Sequence, residues 1–479
     1  MPFYPAAEKI CFPTRYMEDL FFMKKFIPAL CLTAAVATAA DLYPTEYTQP
    51  GQWFLDSIKE TIASKESFYR SRLDKLNPAA DRQKLAEDFH RTIEEQFIAN
   101  REEDAAIEKA LKWQKGDFTW HNDRFYKKTG CTSWFIHPEL SVTGAAMLQK
   151  NRDYTGQNMI SARLFRAMPG RYKVLTVGDL WSSGAGAVMN EKGVMITQND
   201  GLCWEGQPRK ISVGCVFVLR YLAEHCASAD EALATLQKMY ARGTLRDGDL
   251  YFIADCNKGY VVETTTNHVA YSEITFGFEV RANNYLLPGL RSLGKQKRES
   301  FLNGASRRYL ASEFLRERSI EQGKISPLDL MDLSRYRDVE LEKANWRQVC
   351  MKNTIASTMM APDKQYPQYL SAAFVSIGPP RHTIYLPIPM AATAIPADLT
   401  NGDWGLRAFA LREKIGLDHN KLADFKKLET ALVEEFFAVK EQARKLLRAG
   451  KRKEAVALLD KCFIKQYNQA KDFLKEISR

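Results

Sequence analysis

Gly130-Cys131-Thr132-Ser133-Trp134 opens the stretch that decides the fold, and Leu148-Gln149-Lys150-Asn151-Arg152-Asp153-Tyr154 follows it after a strand-like run and a turn. A cysteine in such a setting needs a base. The seven histidines (His90, His121, His137, His225, His268, His382 and His419) are scattered and make no metal-like pair. A papain-like reading of Cys131 would have to recruit His268 or His382, neither of which has supporting local context. The chain contains no phosphate-binding loop, no zinc-protease helix motif, no GxSxG nucleophile elbow and no dinucleotide fingerprint after a strand. No metal or cofactor is expected.

Further short motifs follow in order. They are Gly186-Ala187-Val188-Met189-Asn190-Glu191-Lys192-Gly193-Val194, then Ile196-Thr197-Gln198-Asn199-Asp200-Gly201, then Phe252-Ile253-Ala254-Asp255. Val261-Val262-Glu263-Thr264, Arg281-Ala282-Asn283-Asn284-Tyr285 and Gly304-Ala305-Ser306-Arg307-Arg308-Tyr309 complete the series. Together with Cys131 this order resembles the N-terminal-nucleophile (Ntn) hydrolases of the choloylglycine hydrolase, penicillin V acylase and isopenicillin N acyltransferase group. The resemblance spans about residues 130–390. It implies an α+β fold, a four-layer αββα sandwich, and amide-bond chemistry at an N-terminal cysteine. By the same resemblance Asp153 would hold the α-amine of Cys131. Lys150 stands where many relatives carry Arg, and as a point charge it lacks the bidentate fork of a guanidinium. Arg152 could compensate, although singly Lys150 and Arg152 read as solvated surface charges. Asn283 matches the donor to the tetrahedral oxyanion, Asn284 is its one-residue alternative, and Asn199 is a second candidate donor. Arg307 matches an arginine beside the nucleophile.

Physical chemistry supports that reading of Cys131. A thiol without a histidine partner can be activated by its own α-amine, whose pKa of ~7.7–8.0 lies near neutral working pH. Cys131 must then be the first residue of a chain. Self-cleavage of the Gly130–Cys131 bond is therefore expected, by thiol attack on the Gly130 carbonyl, an N→S acyl shift and hydrolysis. Gly130 suits this, since glycine has no Cβ and tolerates strained backbone.

Outward from Cys131, residues 52–115 read as charged amphipathic helices broken at Leu76-Asn77-Pro78, with Phe54, Ile58, Ile62 and Phe68 on one face and Leu85, Phe89, Ile93 and Phe97 on another. Relatives of the isopenicillin N acyltransferase kind carry a propeptide of similar size, retained as a small subunit after cleavage. Strand-like runs are expected at 144–148, 172–177, 193–197, 249–254, 259–264, 370–376 and 382–387, with helices at 213–239, 300–321 and 327–334. Residues 417–477 read as a helical hairpin broken at Ala449-Gly450, each helix with one apolar stripe. The expected organisation is a signal region at 1–40, a helical propeptide at 41–130, a catalytic domain at 131–415 and a helical tail at 416–479.

Met23-Lys24-Lys25, the apolar run from Phe26 and the small residues ending at Ala39-Ala40 read as a secretory signal peptide with Met23 as the true start. Export, to the periplasm or the medium, is the expectation. A lipid anchor at Cys31 is disfavoured by Leu30 before it. The exported part keeps seven cysteines, an odd number that leaves at least one thiol over. The apolar run is too short for a spanning helix. A charge of +10 over 479 residues, without a basic stripe or a binding module, gives no reason to expect nucleic acid. Sequence thus points to a self-processing amidohydrolase acting on a small linear N-acyl amide such as an N-acyl amino acid, a bile-salt conjugate or penicillin V. The alternatives are an acyltransferase, a dipeptidase relative with the same nucleophile, and an inactive binding protein; a homo-oligomer is compatible with all of them.

Overall fold

A computed structural model describes residues 41–62, 66, 79–125, 130–154, 160–201, 213–243, 245, 248–293, 297–417 and 420–479. The signal region, Phe68, Cys203 and His419 lie outside the described residues. Two antiparallel sheets form the centre. The first has seven strands in the order β10-β9-β8-β7-β6-β5-β4. These are β4 (Ile160–Phe165), β5 (Val174–Asp179), β6 (Ala187–Asn190), β7 (Met195–Asp200), β8 (Asp249–Ala254), β9 (Gly259–Thr264) and β10 (Val269–Ile274). The second has six in the order β11-β2-β3-β12-β13-β14. They are β2 (Cys131–Ile136), β3 (Met147–Asp153), β11 (Phe278–Arg281), β12 (Thr354–Ala361), β13 (Ala372–Ile377) and β14 (Leu386–Pro389). The short strands β1 (Leu42–Pro44) and β15 (Ala394–Pro396) pair separately.

The two sheets face each other, β2 and β3 lying against β7. Ten helices carry labels here: α1 (Gln52–Ile58), α2 (Ala79–Leu111), α3 (Asp117–Phe125), α4 (Cys215–His225), α5 (Ala229–Ala241), α6 (Arg298–Gln322), α7 (Pro327–Ser334), α8 (Asp403–Ile415), α9 (Leu422–Arg448) and α10 (Arg452–Ile477). Helices α4 and α5 pack on the seven-stranded sheet, and α6, α7, α9 and α10 pack on the six-stranded one. The result is the four-layer αββα sandwich implied by the resemblance, with a helical C-terminal region. Among the described residues no helix is long and apolar enough to cross a membrane.

Several elements differ in extent from the sequence expectation. The helix expected over 213–239 is two, because Ser228 accepts from the Glu231 N–H and restarts the chain as an N-cap, with Asp230 and Glu231 in the first turn. The break at Ala449-Gly450 stands as read, with Gly450 at φ 76°. Residues 148–154, expected after a strand and a turn, are themselves mostly strand, β3. Every residue of β3 is buried although five in a row are polar, Gln149 to Asp153. The reading of Lys150 and Arg152 as surface charges is therefore corrected: both faces of the sheet are covered. Buried polar groups must be hydrogen-bonded, and those of β3 build the site.

Of the cysteines carried by the expected exported part, the six described are thiols with no disulfide between them.

Candidate active site

Successive side chains of a strand point to opposite faces, and this alternation divides the site in two. Cys131 pairs with Arg152 across β2 and β3, and Ser133 with Lys150. Their side chains face the seven-stranded sheet. There the Ser133 hydroxyl donates to Asn199 Oδ1 at 2.9 Å, and Arg152 Nη2 donates to Asp179 Oδ2 at 2.8 Å. Thr132 and Asp153 point the other way, toward α6, whose Arg307 donates from Nη1 to Thr132 Oγ1 at 2.6 Å. The thiol thus lies between the sheets, while its backbone is gripped from the helical layer.

That grip centres on the Gly130–Cys131 peptide bond. The Asp153 N–H donates to the Gly130 carbonyl at 2.8 Å. The Cys131 N–H donates to Asn283 Oδ1 at 3.2 Å, and Arg307 Nη1 donates to the Cys131 carbonyl at 2.5 Å. Arg307 also donates from Nη2 to Asn283 Oδ1 at 2.7 Å and from Nε to Asn303 Oδ1 at 2.8 Å. One guanidinium therefore fixes the Cys131 carbonyl and the asparagine that holds the Cys131 nitrogen. Asn283 completes the network by donating from Nδ2 to the Asp200 carbonyl at 2.9 Å.

Asp153 is buried within this network. Its Oδ1 accepts from the Thr354 hydroxyl at 2.6 Å, and its Oδ2 lies 3.6 Å from Arg307 Nη1 with no hydrogen-bond donor among the described residues. Burial pushes the carboxyl up to about 6, against the pull of Arg307, the Thr354 hydroxyl and Lys150. Burial also lowers the Arg307 guanidinium. This oxygen lies close to Gly130, the residue before Cys131, and is an acceptor without a hydrogen-bond donor among the described residues.

The other residues singled out from sequence occupy distinct places. Lys150 reaches across to the seven-stranded sheet, where its ammonium donates to the carbonyls of Gly186 and Gln198. It ties the two sheets together two ladder positions inward from Cys131. Asn199 donates both amide hydrogens to backbone, to the Arg281 and Ala282 carbonyls at 3.0 Å each. Asn284 lies against α6, donating to the Phe301 carbonyl at 3.3 Å. A Cβ on Gly304 would come within 2.2 Å of its Oδ1. Of the two adjacent asparagines, Asn283 therefore meets the nucleophile. Gly130 does not adopt a left-handed conformation, and a Cβ built on it would meet Asp153 at 3.4 Å, an ordinary contact. The expected backbone strain there is absent.

Thr132, Thr354 and Asn303 complete the site without having been singled out from sequence. Thr132 adjoins the nucleophile and could have been considered. Thr354 lies far along the chain, and only the pairing of β12 with β3 brings it to Asp153.

Residues 142–369 match the family described as acyl-coenzyme A:6-aminopenicillanic acid acyl-transferase. That match covers slightly less than half of the chain, and its family is of the Ntn-hydrolase kind. Within this Ntn match lie Lys150, Asp153, Asn199, Asn283, Asn284 and Arg307, whereas Gly130 and Cys131 precede it. Amidase or acyltransferase chemistry is what this family match supports. No curated protein matches the chain. Among similar solved structures is a mutant conjugated bile acid hydrolase from Clostridium perfringens, at 15% identity, 54% of this chain, 92% of that chain and TM-score 0.35. A Caenorhabditis elegans N-acylethanolamine-hydrolyzing acid amidase ortholog shows 16% identity over 50% of this chain and 97% of its own, with TM-score 0.34. Penicillin V acylase from Agrobacterium tumefaciens shows 15% identity over 54% and 86%, with TM-score 0.36.

Proposed function

We propose that this chain is an exported, self-processing Ntn cysteine amidohydrolase that cleaves linear N-acyl amides through a thioester. The observation that carries the reading is the convergence of Asp153, Asn283 and Arg307 on the Gly130–Cys131 peptide bond. In maturation the Cys131 sulfur attacks the Gly130 carbonyl carbon. The Asp153 N–H bonded to that carbonyl oxygen stabilises the developing negative charge. The C–N bond breaks, the Cys131 nitrogen takes the proton, and a thioester forms. Water hydrolyses it, leaving a Gly130 carboxylate, a thiol and a free α-amine.

In turnover the α-amine removes the thiol proton and Cys131 attacks the substrate amide. The substrate amine departs with that proton, and water releases the acid from the thioester. Asp153 Oδ2 receives the α-ammonium whenever the amine is protonated, and Asn283 is the side chain nearest the reacting centre with an amide donor. N-acyl amino acids, bile-salt conjugates and penicillin-V-like amides are the substrate class. The family description favours one second reading, in which an acceptor amine in place of water takes the acyl group.

Contacts of residues 41–130 with the rest of the chain support their retention as a small subunit. Trp53, Phe54, Ile107, Leu111 and Phe118 share one buried core with Phe165, Trp181 and Leu219. Glu103 of α2 makes a bidentate ion pair with buried Arg220 of α4, at 2.5 and 2.9 Å. Strand β1 is paired to β15 near the far end of the chain.

Intact-mass analysis of purified protein tests the proposal. Two fragments, the second beginning at Cys131, are expected from the natural sequence and one chain from Cys131→Ala. A natural chain that stays uncut and forms no thioester with any of these amides would refute it.

A further inference from the structure

The hairpin of α9 and α10 does more than cover the sheet, because α9 forms one wall of a cleft of about 460 Å³ that opens to solvent. One part of its wall is apolar, formed by Val142, Leu328, Pro362, Val433 and Phe437, and the rest is polar or charged, with Lys440 of α9 opening into it. The cavity lies at the Ala361 end of β12. Thr354, which touches Asp153, begins the same strand, so the two places stand roughly 23 Å apart along it. It is separate from the Cys131 site.

The charges at this cavity do not balance. Asp363 is buried and takes Arg444 Nη2 at 2.6 Å and Lys440 Nζ at 3.1 Å on the same oxygen. Its other oxygen accepts the N–H groups of Gln365 and Tyr366 at 3.1 and 3.0 Å. These partners hold Asp363 well below the usual carboxylate range, so it is ionised and carries one negative charge against two cations. Glu441 meets Arg444 at 3.1 Å, but its side chain is 62% exposed and its charge is screened by solvent. Lys364 also lines the cavity, but it is exposed and its charge is screened by solvent like that of Glu441. An ammonium has three donors, and among the described residues Lys440 has one hydrogen-bond partner, Asp363. Burial without full compensation lowers Lys440, the expected response of an undermatched buried charge. Small-molecule sites combine apolar walls with a few placed polar groups in cavities of ~300–1,000 Å³.

We infer that this cavity binds a small monocarboxylate with an apolar aliphatic or aryl body, its carboxylate on Lys440 and its body between Leu328, Val433 and Phe437. The ligand supplies the missing negative charge and fills the apolar walls.

Calorimetric titration of phenylacetate and hexanoate into the full-length Cys131→Ala chain tests this without turnover. Saturable one-to-one binding is expected, with phenylacetamide and hexanamide weaker by about tenfold or more, a difference that one charge-assisted hydrogen bond supports. Lys440→Met should weaken the carboxylates by at least about tenfold, while Lys440→Arg keeps the cation and retains them. Leu328→Trp leaves every charge in place, fills the cavity and should abolish binding. Carboxylate binding undiminished in Lys440→Met or Leu328→Trp overturns the assignment. Equal affinity for acids and amides, or no saturable binding at millimolar ligand, overturns it in the unsubstituted cavity whatever the variants do.

Discussion

The backbone N–H of Asp153 bonds to the carbonyl of Gly130 at 2.8 Å, while its side-chain Oδ2, 3.6 Å from Arg307 Nη1, accepts no hydrogen bond among the described residues. Backbone and side chain of this residue are thus assigned to different steps. In the proposed mechanism the N–H would serve cleavage of the chain, and the carboxylate the amine that cleavage would create.

Asp153→Asn separates those steps. It keeps the N–H on the Gly130 carbonyl and removes the negative charge, so the chain should still cut itself. Amide hydrolysis by the cut enzyme should fall by about 10²–10³-fold, the scale of losing one placed electrostatic group. Mass analysis reads the first effect and steady-state hydrolysis of an N-acyl amino acid the second. An uncut Asp153→Asn chain would contradict the division.

The uncut Cys131→Ala chain should lose stability as pH rises through the range 4–6. Asp153 titrates at about 6 in the fold against an ordinary 3.8. Between those values the folded chain holds more protons than the unfolded one, so unfolding free energy declines with pH. The contribution of this group is on the order of 3 kcal/mol. Urea denaturation at pH 4 and 7 measures it, and Asp153→Asn should flatten the difference. A gain in stability from this group over that range would refute the assignment.

Gly130→Ala should still self-cleave, with a rate within about tenfold of the natural chain, equivalent to ~1.4 kcal/mol of barrier. The added Cβ meets Asp153 at 3.4 Å and encounters no left-handed backbone. Time-resolved mass analysis of newly synthesised protein follows it. Complete arrest would mean that cleavage needs a conformation absent from this structure.

Glu103→Ala should weaken the hold of residues 41–130 on the rest after cleavage. Arg220 would lose two hydrogen bonds while keeping Glu224 at 2.8 Å. The cost should therefore fall below the ~3–5 kcal/mol of a fully orphaned buried charge. In size-exclusion chromatography the natural fragments should co-elute even in moderate urea. Those of Glu103→Ala should separate at lower urea.

Much of the site was legible from residue order because its chemistry is carried by types with few substitutes. A cysteine after glycine, an aspartate near it and an Asn-Asn pair are visible without coordinates. The choice between Asn283 and Asn284 was not, because both belong to one turn and only the packing of α6 at Gly304 directs Asn284 away. Lys150 and Arg152 look like solvent charges in a string. Their burial follows from a sheet covered on both faces, which no local pattern encodes.

The candidate thiol Cys131, the expectation of a cut before it and the helical segments around the core were therefore legible in the sequence alone, through residue chemistry and periodicity. Tertiary structure decided the rest. Thr354 reaches Asp153 only through the β3–β12 ladder, and Arg307 reaches Cys131 only because α6 crosses the end of β2. Such partners are set by register and layer packing, and these depend on contacts between residues remote in the chain.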